Sequence, residues 1–123
     1  MARITGFGGI FFRSADPKAL ATWYRDTLGI ALEEYGAALL RYDAPGHPDF
    51  VVWTPFAQDT TYFAPSTREF MVNFAVDDLA GMVAALEAKG VVVLGRQEES
   101  YGRFAWIMDP DGTKIELWES KGG

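Results

Sequence analysis

Apolar side chains recur at two periods along the chain and mark out short elements. From Phe7 to Ser14, Ile10 and Phe12 fall on one side and Gly9, Phe11 and Arg13 on the other, the period of a half-buried strand. Asp16 is a suitable N-cap, and Pro17 suits the first helical position, where an N–H is not needed. Leu20, Trp23, Tyr24 and Leu28 then recur at helical spacing, and Gly29 supplies a left-handed terminus. A second strand is predicted near Phe70 to Val76. Asp77-Asp78 caps a second helix carrying Leu79, Met82, Val83 and Leu86, which Gly90 ends.

Three strand-like runs follow each helix. They are Ala31–Tyr35, Ala38–Tyr42 and Phe50–Trp53 in the first half, and Val91–Gly95, Arg103–Met108 and Thr113–Trp118 in the second. Asp109-Pro110-Asp111-Gly112 predicts a hairpin turn, with Pro fixing φ at its second position and Gly taking φ > 0 at its fourth. Pro45-Gly46-His47-Pro48 is a less regular counterpart, with His47 expected at the surface. Each half therefore reads strand–helix–strand–strand–strand.

The halves also align. At an offset of 62, Phe12 falls on Phe74, Asp16 on Asp78, Leu20 on Met82 and Tyr24 on Leu86. The expected organisation is a single domain of two modules, about 1–53 and about 70–123, joined by a linker over 54–69. That linker lacks periodicity and suits an arm crossing between modules.

Composition narrows the function classes. The 123 residues contain no cysteine and a single histidine, which excludes disulfides, thiolate metal sites, cysteine nucleophiles and multi-imidazole sites. A net charge of −6 argues against nucleic acid or an anionic membrane as partner. No run approaches the length of a membrane span and no signal peptide is visible, so the expected location is the cytoplasm. Aromatics, at 15%, exceed what a minimal core needs and suggest an aromatic-lined surface or cavity.

Four segments carry a family resemblance. They are Ile10-Phe11-Phe12-Arg13-Ser14-Ala15-Asp16-Pro17, Trp23-Tyr24-Arg25-Asp26-Thr27-Leu28-Gly29-Ile30, Phe74-Ala75-Val76-Asp77-Asp78-Leu79, and Asp109-Pro110-Asp111-Gly112-Thr113-Lys114-Ile115-Glu116-Leu117. With its tandem modules the chain resembles the vicinal oxygen chelate superfamily, which includes glyoxalase I, bleomycin-resistance proteins, fosfomycin-resistance enzymes and extradiol dioxygenases. The resemblance implies an α+β fold of two tandem βαβββ modules forming a curled eight-stranded mixed sheet with a concave cleft. It also implies a homodimer, the modules pairing within one chain or between two.

Metal-dependent members resemble one another in placing two ligands per module. Mapped here, the slots fall on Gly9, on Trp53 or Val52, on Met71 and on Glu116. Only Glu116 is a suitable donor for a divalent ion, so no metal and no other cofactor is expected.

On the implied concave face, alternation groups Gly9, Phe11 and Arg13 on one strand and Met71, Asn73 and Ala75 on its counterpart. Phe104, Trp106 and Met108 lie opposite Ala105 and Ile107, and Lys114, Glu116 and Trp118 alternate with Ile115 and Leu117. The aromatics are assigned to the cleft, with Trp53, and the aliphatics to the helix side. Glu98-Glu99-Ser100-Tyr101-Gly102 is expected to loop at the cleft mouth, where Tyr101 and its acidic neighbours could meet a cationic ligand, or simply be solvated.

The expected ligand contacts are thus Gly9, Phe11, Arg13, Trp53, Met71, Asn73, Tyr101, Phe104, Trp106 and Trp118. Glu116, flanked by apolar groups, is the candidate acid or base, with a salt bridge to Arg13 or Lys114 as the alternative. Three functions follow: a metal-free binder of a small aromatic or cationic molecule; a lyase or isomerase acting through Glu116 or an unrecognised metal site; and a module whose cleft is filled by its own side chains.

Overall fold

A computed structural model describes residues 3, 7 and 9–121. Its elements run α1 (Pro17–Leu28), β1 (Val72–Ala75), α2 (Leu79–Ala88), β2 (Gly95–Glu99), β3 (Gly102–Met108) and β4 (Lys114–Ser120), an α+β arrangement. The strands form one mixed sheet in the order β1-β4-β3-β2. β1 runs parallel to β4, whereas β2–β3 and β3–β4 are antiparallel.

Both helices form where their caps predict. The Asp16 carboxylate accepts from the Ala19 N–H at 3.1 Å, and Gly29, at φ 76°, returns its N–H to the last carbonyls of α1. Asp78 accepts from the Gly81 N–H at 3.1 Å, and Glu119 takes the Leu79 N–H at 2.8 Å. The Lys89 ammonium donates to the Asp26 and Thr27 carbonyls at 2.9 and 3.3 Å, capping the end of α1 and tying it to the end of α2.

The core lies between helices and sheet. Leu20 and Tyr24 of α1 join Leu79, Val83 and Leu86 of α2 against Ala105, Ile107, Ile115 and Leu117. The alternate residues of β3 and β4 therefore point away from both helices. The turn between these strands is organised by buried Asp109, whose Oδ1 accepts from the Asp111 and Thr113 N–H groups at 2.9 Å each. Gly112 takes φ 85° at its fourth position.

The first half departs from the expected strands. Among its described residues it supplies α1 and one isolated antiparallel bridge, Leu32–Ala38, turned at Gly36 with φ 94°. Gly8, inside the expected Phe7–Ser14 strand, lies outside the described residues. Ile10, Phe12, Tyr35, Leu39, Leu40, Tyr42, Phe50 and Val52 are exposed. Alternation reports that a segment suits a half-buried sheet; it does not supply the neighbouring strand, and an isolated hairpin is marginal in water.

Two local expectations are corrected. Glu98 and Glu99 belong to β2, not to a loop; the connection to β3 is only Ser100-Tyr101, with Glu99 opposite Gly102. The apolar run Val91–Leu94 leads into that strand, with Val91 and Val93 packed against the core. His47 is half-buried rather than fully exposed, its ring centroid 4.7 Å from that of Tyr42.

Candidate functional site

Strand pairing determines which side chains meet on the sheet face away from the helices. Trp106 on β3 stands opposite Glu116 on β4, which stands opposite Asn73 on β1. One step along, Phe104 stands opposite Trp118. The rings of Phe104 and Trp106 are 6.3 Å apart and 11° from parallel; those of Phe104 and Trp118 are 6.3 Å apart and 2° from parallel. Three rings from two adjacent strands thus lie in near-parallel planes and form the aromatic platform of this face. Gly102 leaves room for the Trp118 indole, because a Cβ there would sit 2.9 Å from its Cδ1.

Glu116 is 8% exposed and is the polar centre of this face. Its Oε2 accepts from the Trp106 Nε1–H at 2.8 Å and the Tyr62 hydroxyl at 2.5 Å, and its Oε1 accepts from the Asn73 amide at 2.8 Å. Three donors occupy most of the roughly four acceptor positions of a carboxylate. None is a cation, so the expected salt bridge to Arg13 or Lys114 is replaced by neutral hydrogen bonds. Lys114 instead donates to the Tyr62 carbonyl at 2.6 Å, its Nζ 5.2 Å from the Tyr62 centroid and 5.7 Å from that of Trp106. Desolvation by these rings holds the Lys114 ammonium below its ordinary pKa.

Tyr62 comes from the linker and carried no expectation. It stands edge-on to Trp106, with centroids 6.2 Å apart, and stacks on Phe56 at 5.5 Å. Burial, then the bond to Glu116, raises its hydroxyl pKa above the ordinary 10.0. The Ser66 hydroxyl, donating to the Gly112 carbonyl at 2.5 Å, and Arg68, reaching the Asp111 carbonyl at 3.1 Å, fix the end of this linker to the β3–β4 turn. Phe50, with its ring 6.0 Å from that of Trp118, was likewise not anticipated. A cluster of three aromatics, Phe56, Tyr62 and Phe63, in an aperiodic segment was the one available signal.

Of the expected contacts, the structure gathers Asn73, Phe104, Trp106, Glu116 and Trp118. Tyr101 adjoins them with its ring 5.8 Å from that of Phe104, although it is exposed. Met71 is half-buried one residue before β1. Phe11 and Trp53 are 98% and 75% exposed, and Gly9 and Arg13 are exposed as well. Among the described residues none of these four makes a hydrogen bond or ring contact with the platform. Glu98 does not wait for a cationic ligand: Lys121 bonds it at 2.7 Å and Arg103 lies at 3.5 Å, and the Lys121 bond holds its carboxyl below the usual range.

Elsewhere, two hollows of about 350 Å³ flank Lys89, and neither includes Glu116 or the platform rings. Among the described residues no three His, Cys, Asp or Glu side chains gather as a metal site would require. No helix among those residues is long and apolar enough to cross a membrane.

Known proteins support the architecture. TnmS3, an antibiotic-binding protein from Streptomyces sp. CB03234, is 25% identical, with a TM-score of 0.54 over 87% of this chain and 88% of that one. A glyoxalase/bleomycin resistance protein from the same Streptomyces strain is 26% identical, with a TM-score of 0.52 over 84% and 90% of the two chains. A lactoylglutathione lyase from Agrobacterium tumefaciens, 18% identical with a TM-score of 0.54 over 88% of each chain, shares the fold. No curated protein sequence matches significantly. The glyoxalase-like domain family matches residues 9–118, nearly the whole described chain. The chain therefore belongs to the glyoxalase-like family, within the vicinal oxygen chelate superfamily.

Proposed function

We propose that this protein binds a small aromatic molecule on the face formed by Phe104, Trp106 and Trp118, without a metal. The near-parallel alignment of the three rings carries the reading. Such a face offers a flat ligand a stacking surface, and aromatic pairs contribute about 0.5–1.5 kcal/mol each beyond area burial. The antibiotic-binding function in the name of TnmS3 is in keeping with it.

The donor set does not fit a divalent ion. A metal ligand must offer a lone pair, yet two groups beside Glu116, the Trp106 N–H and the Asn73 amide, present hydrogens to it. The family slots on Gly9, Trp53 and Met71 supply no suitable donor either. A cationic ligand is less favoured than a neutral one, because the protein's own Lys114 already sits over the Trp106 ring. Acid–base catalysis by Glu116 would first require Tyr62 to leave.

The proposal includes a homodimer. β1 is an edge of the sheet, and Leu39, Leu40, Tyr42, Val51, Val52 and Trp53 are exposed strand-like residues that join no strand among the described residues. Pairing first-half strands with that edge, from the same chain or a second copy, would complete the eight-stranded cleft. The reading also places the protein in the cytoplasm, where a chain without disulfides suffices.

Thermal unfolding of chelator-treated protein with a panel of planar aromatic compounds and their saturated analogues tests the function. A ligand at about a hundredfold excess over its Kd adds ~2.7 kcal/mol and raises the midpoint by several degrees. The expected result is a rise with an aromatic member and none with its saturated analogue. No rise with any aromatic compound would overturn the reading.

A further inference from the structure

This inference rests on the aromatic-face reading and concerns the chemistry that the face recognises. Tyr62 is itself a phenol seated there. Its hydroxyl meets the Glu116 carboxylate, its ring stands against Trp106, the Lys114 ammonium lies over it and Phe56 stacks on it. Four contacts of different kinds converge on one phenol.

Apart from one hydrogen bond from the Lys114 ammonium to the Tyr62 carbonyl at 2.6 Å, little else holds it in place. Among the described residues, the backbone hydrogen bonds of this segment are local turns: Thr60 to Ala57, Ala64 to Thr61 and Ser66 to Phe63. Firm attachment to the β3–β4 turn begins only at Ser66 and Arg68. Tyr62 is 38% exposed, whereas Glu116 is 8% exposed and fixed in the sheet between Asn73 and Trp106. The fixed half of the site belongs to the sheet, and the replaceable half belongs to the strap.

We propose that Tyr62 stands in for a phenolic ligand: a hydroxyaromatic molecule donates its O–H to Glu116 and stacks by Trp106 as residues 56–63 lift away. A carboxylate that already receives the Trp106 and Asn73 donors can accept a further hydrogen bond but cannot give one. The site therefore favours an aromatic O–H and discriminates against the corresponding ether, which would leave Glu116 facing a second acceptor. The Lys114 ammonium favours an electron-rich ring. Because the strap occupies the site, the apparent affinity is reduced by the fraction of time it is closed.

The test titrates 2-naphthol and 2-methoxynaphthalene into the wild type, Tyr62→Phe and Phe56→Ala, following the Trp106 indole N–H resonance. Tyr62→Phe removes the competing hydroxyl and keeps the ring, and Phe56→Ala loosens the strap without touching the hydroxyl. The expected result is 2-naphthol binding at least about fivefold tighter in both variants. The ether should bind about tenfold more weakly than the naphthol in Tyr62→Phe. Equal affinities for naphthol and ether would overturn phenol recognition while leaving the aromatic-binding reading intact. Failure of both variants to tighten naphthol binding would overturn the competition. If neither compound moves the Trp106 resonance in any of the proteins, this inference and the reading beneath it both fail.

Discussion

The Tyr24 hydroxyl of α1 donates a 2.7 Å hydrogen bond to the Asp109 carboxylate in the β3–β4 turn, joining the first half of the chain to the second. Both groups are buried, and the same carboxylate organises the turn through its other oxygen. Removing the hydroxyl leaves a buried carboxylate oxygen without its partner. Tyr24→Phe is expected to cost about 2 kcal/mol. Differential scanning calorimetry should find the midpoint lowered by about 8 °C at this chain length.

The same pair sets a pH dependence. Burial, followed by the hydrogen bond to Asp109, raises the Tyr24 pKa above its ordinary 10.0. The unfolded chain then releases this proton near pH 10 while the folded chain retains it, so stability present below that pH declines above it. Tyr62 is shifted in the same direction, more weakly screened from water. Denaturant midpoints measured from pH 8 to 11 should fall at the alkaline end, and the fall should be shallower in Tyr24→Phe.

Gly102 is predicted to be intolerant of a side chain. Its added Cβ would press on the Trp118 indole and lie 3.1 Å from the Glu119 carbonyl. An indole held in a sheet cannot yield as a flexible chain would, so Gly102→Ala should turn Trp118 out of parallel with Phe104. The cost expected from such overpacking is about 1–3 kcal/mol. Altered near-ultraviolet circular dichroism with unchanged far-ultraviolet signal would show it.

Trp106→Phe keeps a ring on the platform and removes one of the three donors to Glu116. The expected loss is about 2 kcal/mol of stability, in the range for a hydrogen bond to a charged group. Affinity for a planar aromatic ligand should also fall by about tenfold, measured by isothermal titration calorimetry.

Assembly makes a separate prediction. Light scattering after size exclusion should give about 27 kDa, twice the 13.6 kDa of the chain. Trp53→Arg, placed in the exposed apolar stretch, should shift the population toward monomer. A wild-type mass of about 14 kDa would contradict the dimer.

Both helices and much of the second half were legible in the sequence because their signals are local. Asp16 and Asp78 cap the two helices, Gly29 and Gly90 take positive φ just beyond them, and Asp109 to Gly112 make the expected turn. Alternation correctly placed Ala105, Ile107, Ile115 and Leu117 under the helices. β2 was misplaced for a physical reason. Arg96-Gln97-Glu98-Glu99 pairs on one side only, and charged side chains on an edge strand do not show the apolar alternation of an interior one.

The site was half legible. Glu116, Asn73, Phe104, Trp106 and Trp118 fall out of strand parity. Tyr62 could not, since the linker has no period and its position over Glu116 depends on contacts 54 residues apart in sequence. The first-half strands likewise depend on lateral partners that a pattern within one segment cannot specify.

The most direct test of a metal-free aromatic site is the set of indole N–H resonances from the four tryptophans. Chelator-treated protein would be titrated in parallel with 2-naphthol and with Zn, Ni, Mn and Fe(II), with signals assigned by Trp→Phe substitution. The account predicts that 2-naphthol moves the Trp106 and Trp118 resonances and that none of the metals does so at stoichiometric concentration. A stoichiometric metal response at Trp106, with no response to 2-naphthol, would contradict it.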